Sequence, residues 1–188
     1  MEQQTPYGLF IYNKDKKDQN VLKDLLQLVR THHVRKFVTF AYVEAHTSLI
    51  PHLSLWENLQ IVIGGETWKD TCKSIDAEWM PLINLIKNPH LSTEKAAAWE
   101  KFIISLVKGL VTPSKTLLID FNEDLMSPLM IQNFKKVFLK ACEQKTIYLA
   151  TASTSLWLDC AYCLVTRNNF EFEMEMFDAV SIKRHWAA

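Results

Sequence analysis

No run of apolar residues in this 188-residue sequence is long enough to cross a bilayer, and neither sign of charge is in excess. A membrane-spanning helix needs roughly 20 consecutive apolar residues, whereas the longest apolar stretches here are strand-sized. Lys plus Arg total 21 and Asp plus Glu total 21, a formal net charge of +0. That balance argues against a nucleic-acid-binding surface, which needs concentrated positive charge. The basic stretches are short and broken by acids, as in Lys14-Asp15-Lys16-Lys17-Asp18. Residues 1–6 lack the basic start and apolar run of a secretory signal. The expectation is a cytoplasmic protein without direct membrane insertion, held at the inner face of a membrane, if at all, through a partner. No Ser/His/Asp, HExxH or glycine-rich catalytic motif is present either.

Cysteine is scarce: Cys72, Cys142, Cys160 and Cys163. The Cys160-Ala-Tyr-Cys163 spacing has no second pair and no nearby histidine to complete a zinc site. It runs into an apolar segment rather than opening an exposed helix, where a reactive thiolate would be favoured. These two read as buried small hydrophobes. No metal and no cofactor is expected.

What the sequence does contain is a regular alternation of short apolar runs and helical periodicities. Hydrophobic residues make up 48% of the chain, enough for one domain with a real core. Strand character marks 7–12, 36–43, 116–119, 146–150 and 163–166. Helical spacing marks 21–31, through Val21, Leu22, Leu25, Leu26, Leu28 and Val29, and then 54–59, where Ser54 and Glu57 form a capping box. Short helices are predicted at 68–75 and 78–86, with Pro81 in a first turn where its missing N–H costs little. A longer helix at 96–110 carries a stripe of Trp99, Phe102, Ile103, Leu106, Val107 and Leu110. Helix 130–142 and a short helix at 156–161 follow. Residues 170–176 alternate Phe and Met with Glu, which suits an edge strand with one wet face. Helices alternating with apolar strands point to a parallel sheet covered on both faces.

Three stretches, collinear and correctly spaced, carry a resemblance. They are Ser48-Leu-Ile-Pro-His-Leu-Ser-Leu-Trp-Glu-Asn-Leu59, then Lys108-Gly-Leu-Val-Thr-Pro-Ser-Lys-Thr-Leu-Leu-Ile-Asp120, and Lys145-Thr-Ile-Tyr-Leu-Ala-Thr-Ala-Ser153 with Ala161-Tyr-Cys-Leu-Val165. They resemble the segment after the Q-loop, the helix end with the Walker B strand, and the strand to the switch histidine with the strand beyond, in the nucleotide-binding subunit of ABC transporters. The resemblance covers about residues 8–168. It implies a three-layer α/β P-loop-NTPase-like domain spanning 1–188, with a mainly parallel sheet and a helical insert within 60–95. Only about ten residues precede the P-loop position, so the family's N-terminal antiparallel subdomain is expected to be reduced or absent.

Carried across position by position, the family's functional groups are missing. A P-loop cradles phosphates because glycines let backbone N–H groups converge while a lysine reaches the β/γ oxygens. Residues 12–19 contain no glycine, and Asp15 and Asp18 bring negative charge where phosphate would lie. Asp18 falls at the lysine position and Gln19 at the first of the Ser/Thr pair. Lys14, Lys16 and Lys17 offset that charge only in part. The Q-loop glutamine falls on Ala45, or on Glu44 with a one-residue slip. The Walker B strand keeps Asp120, but the catalytic glutamate position is Phe121; Glu123 is acidic two places late. The switch histidine position is Ala152. The signature falls on Ala96-Ala97-Ala98-Trp99-Glu100, where Ala98 and Trp99 replace the glycines.

The resemblance therefore implies a pseudo-ATPase. Each composite site in a family dimer joins one subunit's P-loop to the other's signature, so neither site would be complete even beside an active partner. The expected role is a structural or regulatory docking subunit of a membrane transport or secretion complex. Its partners would be a membrane protein or secretion-complex subunit, with an ABC-ATPase-like homodimer or heterodimer also open and no nucleic acid. The insert follows the best-kept stretch, so Trp56, Trp68 and Trp79 are the candidate docking residues. The alternatives are an enzyme with an unrelated pocket at the strand ends, built on Asp120, Glu123, Asp124 and the thiols, and an interaction module unrelated to transport.

Overall fold

A computed structural model describes residues 7–14, 20–32, 39–44, 49–168 and 171–177. Six strands form one sheet: β1 (Gly8–Asn13), β2 (Phe40–Val43), β3 (Thr116–Asp120), β4 (Thr146–Thr151), β5 (Cys163–Asn168) and β6 (Glu171–Met176). Their spatial order is β2-β3-β4-β1-β5-β6. The pairs from β2 to β5 are all parallel, and β6 returns antiparallel on β5. The mainly parallel sheet expected from the sequence is present.

The central strands are apolar on both faces because helices cover both. In β1, Leu9 and Ile11 belong to one core while Phe10 and Tyr12 belong to the other. The second core is closed by α1 (Val21–His32), which presents Val21, Leu25, Leu28 and Val29 to Phe10, Leu118 and Tyr148. The first core lies under α5 (Ala98–Val111) and α6 (Pro128–Ala141), and contains Phe102, Ile103, Leu106, Phe134 and Phe138. Period-two alternation in the strands has produced three layers. Gly109 lets α5 lie close on the sheet: a Cβ there would stand 2.9 Å from Val43 Cγ2 and 3.1 Å from Leu117 Cδ2.

Between β2 and β3 the chain leaves the sheet. Helix α2 (Leu55–Ile63) is capped as expected: Ser54 Oγ accepts from Glu57 N–H at 3.1 Å, and Ser54 N–H donates to Glu57 Oε2 at 2.7 Å. Two short helices follow, α3 (Trp68–Lys73) and α4 (Met80–Ile83). The return segment is tied to the start of α2. Leu55 N–H donates to Leu91 O at 3.1 Å, and Thr93 N–H to Leu53 O at 2.9 Å. Fully buried Asn58 closes this join through Ile50 O, Ser54 O and Thr93 Oγ1, while its own carbonyl accepts from Ile50 N–H.

Several expectations need correction. The helix expected at 156–161 is a 3-10 turn at Thr154–Leu156. Successive i→i−3 bonds from Leu156, Trp157 and Cys160 curl the chain, burying Trp157 and Cys160 and leaving Leu156 and Leu158 outside. Helix 78–86 shrinks to four residues with Pro81 near its start. Strand β6 is at the edge as expected; half-buried Phe172 meets Tyr12 edge-on at 6.0 Å, while Met174 and Met176 are exposed along with Glu173 and Glu175. The expected strand 36–43 is described only at Phe40–Val43.

Candidate functional site

In an open parallel sheet with helices on both faces, ligands bind outside the carboxyl ends of the strands, and Asp120, Phe121 and Ala152 stand there, at the ends of β3 and β4. Asp15, Asp18, Gln19 and Ala45 lie outside the described residues. The rest can be placed.

Strand β1 continues into Lys14, whose N–H donates to Thr151 O at 3.1 Å. The Lys14 ammonium crosses the end of β4 to form an ion pair with Asp120 Oδ1, at the end of β3. Both side chains are largely shielded, at 12% and 25% exposure. Beside them the Tyr42 hydroxyl donates to Glu44 Oε2 at 3.1 Å. Burial, then the Asp120 and Glu44 charges, push the Tyr42 phenol far above its ordinary value, so it stays protonated. On the far side, Thr151 Oγ1 donates to Glu123 Oε2 at 3.2 Å and accepts from Ser153 N–H at 3.2 Å. The other Glu123 oxygen is buried without a partner. Ala152 is half-buried next to Thr151.

Phe121 prolongs the alternation of β3. Leu117, Ile119 and Phe121 all belong to the core under α5 and α6, and Phe121 N–H donates to Ala150 O at 2.9 Å. Its ring is fully buried. Phe102, Phe134 and Trp157 meet it edge-on at centroid distances of 5.4, 5.6 and 5.0 Å, a favourable aromatic geometry. The side chain at this position is a keystone of the core.

A second polar cluster joins β1, α1 and β5. Buried Asp24 accepts from the Tyr12 hydroxyl at 2.8 Å and from the Arg167 guanidinium at 2.6 Å. Sequence reasoning missed this group. The available signal was an acid within the apolar helix spacing of Val21, Leu25 and Leu28. The carboxylate partner of Lys14 lies 106 residues away, beyond the reach of any local sequence signal.

The signature position opens α5. Ala97 is the N-cap and has no side-chain oxygen, so only half of a capping box forms, from Ala97 N–H to Glu100 Oε2 at 3.1 Å. Ala98 and Trp99 are half-buried. Cys160 and Cys163 are buried free thiols. Burial pushes Cys160 up to about 12 and Cys163 up to about 11. Among the described residues, no group of three or more His, Cys, Asp or Glu could hold a metal ion.

On the inserted helices, Trp56 is half-buried, with its Nε1–H donating to Thr71 Oγ1 at 3.1 Å and His90 edge-on to its ring. Trp68 is half-buried against the main core. Trp79 is 6% exposed inside that core, so it offers no surface to a partner; the docking assignment for it is withdrawn. The exposed apolar side chains of this region are aliphatic instead: Ile61 at 61%, Val62 at 40% and Ile50 at 38% exposure. No described helix is long and apolar enough to cross a membrane.

No family model matches the sequence, and no curated protein matches it. The three-dimensional comparison does find similar folds. One is the ATP-binding cassette MJ0796, in a dimeric post-hydrolysis state bound to ADP and Pi. It superposes with a TM-score of 0.66 at 10% identity, covering 92% of this chain and 86% of that one. Another is a putative metal-chelate type ABC transporter in an inward-facing conformation, with a TM-score of 0.62 at 10% identity over 96% and 78% of the two chains.

Proposed function

We propose that this chain, whose fold is that of ABC transporter ATP-binding domains, is a non-catalytic subunit that docks on a membrane transport or secretion complex from the cytoplasmic side. The observation that carries this reading is Phe121. At the position where the family places the glutamate that polarises the attacking water, this chain has a phenyl ring locked into an aromatic core. A phenyl ring cannot orient water, and its full burial keeps it away from any solvent molecule. Two described basic groups at the strand ends support the same reading: Lys14 pairs with Asp120 and Arg167 with Asp24, so both are engaged with carboxylates of this chain.

The surface assigned to a partner is the outer side of α2, where Ile61 and Val62 are exposed. Its occupant in this reading is a helical cytoplasmic segment of a membrane protein. An enzyme built on Asp120, Glu123 and the thiols draws less support: Lys14 and Thr151 already engage the two acids, and the buried thiols are held protonated.

Two measurements test the proposal. Calorimetry at millimolar magnesium-ATP is expected to show no saturable binding, with no phosphate release in a parallel assay. Saturable micromolar binding that depends on magnesium would overturn it. For docking, Ile61→Asp with Val62→Asp should leave stability within about 0.5 kcal/mol, as for surface changes, yet abolish co-purification with the membrane partner. Full retention of the partner by this folded variant would remove the assigned surface.

A further inference from the structure

We draw no further inference here: the strongest candidate, the cavity at the amino ends of β3 and β4 where the buried Lys145 ammonium has no carboxylate partner, carries nothing because the Thr112 and Ser114 carbonyls already hold that ammonium at 2.7 and 2.5 Å and the negative ends of α5 and α6 open there beside Asp76 and Glu143, so no charge is left for a ligand to answer.

Discussion

Replacing Phe121 with alanine removes a fully buried ring from between Phe102, Phe134 and Trp157. Those neighbours come from α5, from α6 and from the turn before β5, so they cannot all move inward to fill the space. A buried Phe→Ala change costs about 3–5 kcal/mol, combining lost transfer energy with the residual cavity. The rigid, three-sided surroundings place this site near 4 kcal/mol, a large part of the ~5–15 kcal/mol total stability of a domain. Phe121→Glu should fare worse at neutral pH, since it puts an unpaired carboxylate among aromatic rings. The pH dependence separates the two variants. Burial raises the folded-state pKa of the new glutamate above its unfolded value of about 4.3. The ionisation penalty is therefore absent below that value, builds as pH rises above it, and levels off once pH exceeds the folded pKa. Phe121→Ala should show no such slope relative to wild type. Urea unfolding of all three proteins from acid to neutral pH, read by far-UV circular dichroism, provides the comparison. A Phe121→Glu protein within about 1 kcal/mol of wild type at pH 7 would refute the core role of this position.

Two further outcomes follow from the packing. Asn58→Ala should cost about 3 kcal/mol, because it strands the Ile50 backbone groups and Thr93 Oγ1 at the join between α2 and the returning chain; denaturant unfolding measures this, and a loss under about 0.5 kcal/mol would show the join is unimportant. Cys160 and Cys163, pushed up to about 12 and 11, should resist iodoacetamide at pH 8 in the folded protein and react after unfolding. Their raised folded pKa values also mean that stability is intact below about pH 8.5 and declines as alkaline pH approaches the folded values; rapid native labelling, read by mass spectrometry, would contradict the burial.

Much of the fold was legible in the linear order of residues, because its causes are local. Period-two runs such as Leu117-Leu118-Ile119 place alternate side chains on two faces, and a parallel sheet with two helical layers follows. Ser54 and Glu57 start α2 with a capping box that spans only four residues. The expectation that Phe121 and Ala152 stand where the resembling family has glutamate and histidine comes from residue identity and needs no coordinates. Tertiary structure alone decided the pairings. Lys14 meets Asp120 across 106 residues, and Arg167 meets Asp24 across 143, because strand order brings the ends of β1, β3 and β5 together. Nothing local to either partner encodes that neighbourhood. The same holds for burial. Trp79 and Ile61 are both apolar residues on inserted helices, yet Trp79 is 6% exposed and Ile61 is 61% exposed. The difference lies in what stands opposite each side chain: other core residues surround Trp79, while Ile61 projects from the outer side of α2 into solvent.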